Sequence, residues 1–184
     1  REAGVEVGFF ADKWLYASAS AGSNLSDATS NYTKDPTYTA RVEVTPRFGE
    51  VGLLLGGSYA AAKLEGSEGT LNTNMYGGFL GFGYVDFSLL AEYDIANELS
   101  SSDVKSNMLM VEAAYVILTG LEAIVRYDRI DYNADVDADE TSRFVFGFEF
   151  HPYSFIEVRP QYRLVLEDPS VDNDSFVLQL HFWY

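Results

Sequence analysis

The stretch Arg143–His151, RFVFGFEFH, decides the fold. Phe144, Phe146, Phe148 and Phe150 fall at every second position, with Arg143, Val145, Gly147, Glu149 and His151 between them. Successive side chains of an extended strand point to opposite faces, so the phenylalanines share one face and the charged residues the other. A soluble sandwich also alternates, but an unbroken row of phenylalanine backed by charge suits a wall that faces lipid. Ser175–Tyr184, SFVLQLHFWY, repeats the arrangement, with Phe176, Leu178, Leu180, Phe182 and Tyr184 set against Ser175, Val177, Gln179, His181 and Trp183.

Reading outward from these two segments, the same period gives about eleven strands, at roughly 4–11, 13–22, 37–46, 51–63, 74–84, 86–97, 107–118, 121–132, 142–151, 155–167 and 175–184. Their connections alternate. Short ones are Asp12-Lys13, Arg47 to Glu50, Val85-Asp86, Thr119-Gly120 and Pro152 to Ser154; long polar ones cover 23–36, 64–73, 98–106, 133–141 and 168–174. Membrane barrels put short turns at one rim and long loops at the other. Aromatic residues recur near the expected strand ends (Trp14, Tyr38, Tyr59, Tyr76, Tyr84, Tyr93, Tyr115, Tyr127, Tyr132, Tyr153, Tyr162), as in the girdles of such barrels. Pro160 cannot donate to a ladder and predicts a bulge or a gap in pairing. The expectation is one all-β domain over 1–184, an antiparallel transmembrane β-barrel with no helical segment and no internal boundary.

Composition agrees. The 184 residues hold 12 Lys and Arg against 28 Asp and Glu, for a net charge of −16, and there is no cysteine. That charge argues against nucleic acid, whose phosphates need clustered bases. Without cysteine there is neither a disulfide framework nor a Cys-based metal site. No apolar run reaches the ~18 residues of a membrane helix. A mean hydropathy of −0.07 fits strands that are apolar on one face and polar on the other.

The last strand, with apolar residues at alternate positions and an aromatic end, resembles the C-terminal signature strand of bacterial outer-membrane proteins. Phe176, Leu178, Leu180, Phe182 and Tyr184 carry that likeness, which implies recognition by the barrel-assembly machinery and an outer-membrane location among lipid and lipopolysaccharide. REAGVEVGFF, KWLYASASAGSN, TARVEVTP, GLLLGGSYAA and FGFEFHPYSFIEVRPQYRL resemble the later strands of the phosphate-selective porin O/P-like superfamily. That likeness implies a larger, usually trimeric, channel of which these strands are the C-terminal part. Parity points the same way, since eleven strands leave the two ends on opposite sides, whereas bacterial barrels have even strand numbers. The alternative is a ~12-stranded barrel with one strand unseen. The chain starts without Met or a signal peptide, as a mature or partial chain does. It departs from the anion-selective members in having no basic ladder, so no phosphate-site residue is carried over.

With the apolar face against lipid, the alternate residues line the lumen. The expected pore-lining acids are Glu6, Glu43, Glu92, Asp94, Glu112, Glu122, Asp128, Glu149, Glu157 and Glu167; the bases are Arg41, Arg126, Arg143, Arg159 and Arg163. The excess of acid predicts cation preference or weak selectivity; cross-strand ion pairing inside a filled barrel is the competing reading. Gly52, Gly56, Ser58, Ala60, Gly77, Gly81 and Gly83 predict a nearly bare wall, or bends. Asp135, Asp137 and Asp139 form a D-x-D-x-D run that suggests a hard cation such as calcium, but the glycine and later glutamate of an EF-hand are missing, and a solvated acidic loop is the simpler reading. Catalysis is not expected: there are two histidines, no G-x-S-x-G, no phosphate-binding glycine loop and no metal-ligand spacing, and no cofactor is implied. The expected function is passive diffusion of small hydrophilic solutes or ions. The alternatives are a non-conducting anchor or adhesin barrel, and a soluble ligand-binding barrel.

Overall fold

The computed structural model describes residues 2–12, 14–24, 35–66, 69–99, 101–137, 139–167 and 169–183. Tyr184, Lys13, Asp168 and most of the connection 23–36 lie outside the described residues. Among the described residues there is no helix. The strands are β1 (Glu2–Ala11), β2 (Leu15–Asn24), β3 (Thr37–Val44), β4 (Arg47–Phe48), β5 (Val51–Gly66), β6 (Gly69–Tyr84), β7 (Phe87–Asn97), β8 (Lys105–Leu118), β9 (Leu121–Asp131), β10 (Glu140–Tyr153), β11 (Ile156–Glu167) and β12 (Ser175–Phe182). They form one antiparallel sheet in which each long strand pairs with the next in sequence, while the two-residue β4 folds back onto β5.

Three boundaries differ from the sequence reading. The segment 64–73, expected as a long loop, is mostly strand: the β5–β6 ladder runs out to Gly66 and Gly69. Leu64 and Leu71 stand alone there among glycine, glutamate and small polar residues, so the segment carries no apolar alternation. The turn expected at Pro152 to Ser154 falls one residue later, as β10 continues through Pro152 to Tyr153. The expected turn Arg47 to Glu50 holds the short β4. Pro160 does what its missing N–H requires. The β10–β11 ladder pairs Gly147 with Gln161 and resumes at Phe150 with Val158, leaving Pro160 and its neighbour unpaired on that side, while Pro160 still aligns with Leu178 of β12.

The ladders fix which residues share a face. Stepping straight across the sheet from Ala11 passes Leu15, Val44, Leu55, Leu80, Ala91, Val111, Tyr127, Phe144 and Leu164. The path starts beside the first short turn and ends eight residues above the start of β11, after nine strand-to-strand steps. With ~3.3 Å per residue and ~4.8 Å between strands, that climb tilts the strands by about 30–35° from the normal to the rim. Membrane barrels have about this tilt, at its lower edge.

The face marked by that path carries the exposed apolar side chains. Phe146 and Phe148 are 45% and 47% exposed, whereas Val145 on the opposite face is 2% exposed. Leu80, Leu178, Leu180 and Phe182 are likewise open. Two aromatic rows bound this face. Tyr84, Phe87, Tyr115, Phe150 and Phe182 lie near the short turns; Tyr38, Tyr59, Tyr76, Tyr93, Tyr127 and Tyr162 lie on the same face towards the long connections. On β6 and β7 the rows are six to eight residues apart, or about 20–26 Å along the strand. Between them the face carries no charged residue among the described strands; Lys63, Arg129, Asp131 and Glu140 sit beyond the upper row.

The sheet is not closed. β1 and β12 both run towards the short-turn side and sit at opposite edges of the sheet, with no strand on their outer sides among the described residues.

Candidate functional site on the charged face

The register brings every expected pore-lining residue to one face, opposite the exposed apolar one. Glu6, Arg41, Glu43, Glu92, Asp94, Glu112, Glu122, Arg126, Asp128, Arg143, Glu149, Glu157, Arg159, Arg163 and Glu167 all share it. They do not form one site. The ladders sort most of them into three groups.

The first group lies on β3, β5 and β6. Gly56 is directly opposite Phe79, whose ring covers it and is only 6% exposed. The Arg41 guanidinium sits 4.2 Å from the centre of that ring, and Arg41 Nε donates to Glu43 at 2.9 Å. Gly77 faces Asp94, whose carboxylate fills the space a Cβ would need. The nearly bare glycine wall expected here is therefore half filled. Open space remains over Gly52 and Gly83, while Gly56 and Gly77 make room for large neighbours. Phe79 was not among the expected residues of this face; its signal in the sequence is a lone aromatic among small residues of the same parity.

The second group spans β7 to β10 about halfway up. Glu92 and Asp94 on β7 face Met110 and Met108 on β8. Beyond them Asp128 accepts from Arg143 Nη2 at 2.7 Å and pairs with Arg126 Nε at 3.1 Å, and Arg126 also lies 3.8 Å from Glu112. Glu92, Asp94, Met108, Met110, Asp128 and Arg143 line a cavity of about 450 Å³. Arg126 and Arg143 are thus neutralised by their neighbours, while Glu92 and Asp94 make no ion pair among the described residues. Arg163, next along on β11, donates to Gln161 at 3.3 Å and meets no carboxylate among the described residues.

The third group lies at the short-turn end of β9 to β12. Arg159 bridges Glu149 and Glu157, its Nε 2.7 Å from Glu157 Oε1. Glu157 is 4% exposed, and its other oxygen lies 2.7 Å from His181 Nδ1. Glu122 stands directly across from Glu149. His151, two residues beyond Glu149, brings its imidazole to within 4.8 Å of the carboxylate oxygens of Glu149 and Glu157. Trp183 lies 6.3 Å from both imidazoles, centre to centre. No metal-ligand spacing was read here from the sequence. The ligand pattern is Glu-x-His on one strand with a Glu across the hairpin, which becomes visible only once the strands are paired.

Other expected residues stay apart. Glu6 accepts from the Tyr16 hydroxyl at 3.3 Å at the β1 edge, and Glu167 accepts from Asn173 at 2.7 Å near the last loop. In the acidic loop the Asp135 amide donates to Asn133 Oδ1 at 3.1 Å, and Asp135, Asp137 and Asp139 do not converge as a ligand set among the described residues. Asn133 shapes that loop by satisfying its backbone, as Asx turns do. Phe176, Leu178, Leu180 and Phe182 form a continuous exposed row on β12. Compared with known protein families, curated proteins and solved structures, the chain matches none of them.

Proposed function

We propose that these strands form part of an outer-membrane β-barrel whose charged face lines a water-filled path for small hydrophilic solutes or ions, with a preference for cations. One observation carries this reading: the sheet is inside out for water. Its exposed face is apolar, free of charge between two aromatic rows, and far larger than the few hundred Å² of apolar patch that a monomer in water tolerates. In lipid the same face is satisfied, and the strand tilt and the paired aromatic rows are those of a membrane-spanning wall. Since β1 and β12 are parallel, antiparallel closure takes an odd number of further strands between them. The likeness to the phosphate-selective porin O/P-like superfamily would put these strands at the C-terminal end of such a barrel, in a trimer inserted by the barrel-assembly machinery.

Cation preference follows from the charges left over. Arg126 and Arg143 are matched by Asp128 and Glu112, and Arg163, the arginine left over, does not line the cavity, so the potential over it is set by Glu92 and Asp94. The test is single-channel conductance in a planar bilayer under a salt gradient, with protein extracted from its membrane. Discrete steps with a cation-directed reversal potential are expected, and Glu92→Gln with Asp94→Asn should move that potential towards zero. An anion-directed potential would overturn the cation assignment. The second reading is a non-conducting anchor barrel, favoured by the ion pairs that join β9 to β10 (Arg143–Asp128) and β10 to β11 (Arg159–Glu149). Folded, inserted protein that never conducts would establish it.

A further inference from the structure

We propose that Glu149, His151 and Glu157 form a binding site for a divalent transition-metal ion of the zinc, nickel or copper class. The inference rests on the register of β9 to β12 and not on whether the barrel conducts. Three features point to it.

The donor set is one. An imidazole nitrogen and two carboxylate oxygens lie within 4.8 Å of one another, so small side-chain rotations bring them around one ion at ~2.0–2.2 Å. Mixed nitrogen and oxygen ligands select borderline metals over calcium or magnesium, which prefer oxygen alone. Three protein ligands leave at least one position for water.

Charge is another. Glu122, Glu149 and Glu157 crowd this corner, with Arg159 the cation that bridges Glu149 and Glu157. Glu122 and Glu149 occupy directly opposed positions, where like charges are destabilising. Three carboxylates against one guanidinium leave two negative charges, which a divalent ion offsets beside the Arg159 guanidinium. His181 and Arg159 hold Glu157 from its two sides, the supporting role that neighbours of a metal ligand commonly take.

The backbone gives the third. The group sits beside the interruption in the β10–β11 ladder opposite Pro160. Glu149 and His151 belong to one of these strands and Glu157 to the other, so a shared ion ties them together where main-chain hydrogen bonds are missing.

Trp183 provides the readout, being 6.3 Å from the His151 ring. In folded protein stripped of metal in detergent micelles, Cu²⁺ should quench tryptophan emission saturably at one equivalent, and the quenching should survive Trp14→Phe but vanish in Trp183→Phe. Zn²⁺ should displace the Cu²⁺ and Ca²⁺ should not. His151→Asn and Glu149→Gln should each weaken binding at least ~10-fold, with far-UV circular dichroism unchanged. Absence of saturable quenching in the folded parent protein would overturn the site. So would binding that is unaltered in folded His151→Asn or Glu149→Gln. Should either variant fail to fold, His151→Gln, read by zinc calorimetry, takes its place with the same two outcomes.

Discussion

At the scale of single residues, backbone and side-chain demands decide what the charged face looks like. Gly56 carries no side chain because Phe79 needs its place, and a Cβ there would also lie 2.6 Å from the Val42 carbonyl oxygen. Phe79 in turn gives Arg41 an aromatic surface, so glycine, ring and guanidinium are one packing unit spread over three strands. Val85 is the opposite case. It holds φ at +52° in the two-residue turn between Tyr84 and Phe87, a region costly for a β-branched residue. Glycine is preferred at the first central position of hairpin turns with this backbone. Val85→Gly should therefore stabilise the folded protein by about 1 kcal/mol, the relief of strain being partly offset by a more flexible unfolded chain. Urea unfolding from lipid vesicles, followed by tryptophan emission, checks this; an unchanged or lowered midpoint would mean that the turn is not strained.

At the scale of strands, the two faces should respond oppositely to charge. Leu178 and Val177 are neighbours on β12, the first 56% exposed on the apolar face and the second on the charged face. Leu178→Lys should cost about 2–4 kcal/mol near the middle of a bilayer, and Val177→Lys far less. Folding yields and unfolding midpoints in vesicles compare them, and equal costs would argue against lipid on the phenylalanine face. The strands were legible in the sequence because Phe144 to Phe150 and Phe176 to Phe182 repeat with period two, and a shift of one residue would turn every side chain over. Where that signal faded, so did the reading. Residues 64–66 and 69–73 extend β5 and β6 through Leu-Glu-Gly and Gly-Thr-Leu-Asn-Thr, in which two isolated leucines among glycine and polar residues give no period. The faces of all the expected pore-lining residues were readable, since parity fixes them. Their partners were not: pairing Arg143 with Asp128, or Glu149 and Glu157 with Arg159, depends on register between strands, and a single strand's pattern is silent about register.

For the whole molecule the open edges matter most. β1 and β12 run in the same direction, so they could meet only as a parallel pair. With intervening strands, each ~4.8 Å wide, their backbones stay too far apart for a disulfide. The chain has no cysteine of its own, which makes the experiment clean. Single cysteines on β1 combined with a scan along β12 should remain unlinked under oxidant in the folded, membrane-inserted protein. A disulfide at any combination would mean direct parallel closure and would remove the need for further strands. The same geometry constrains how such a sheet can have grown. Copying a hairpin adds two strands and leaves parity untouched, so no number of hairpin duplications converts this odd run into an even ring. An even-stranded barrel built on this run would take an odd number of further crossings, which hairpin duplication alone does not supply.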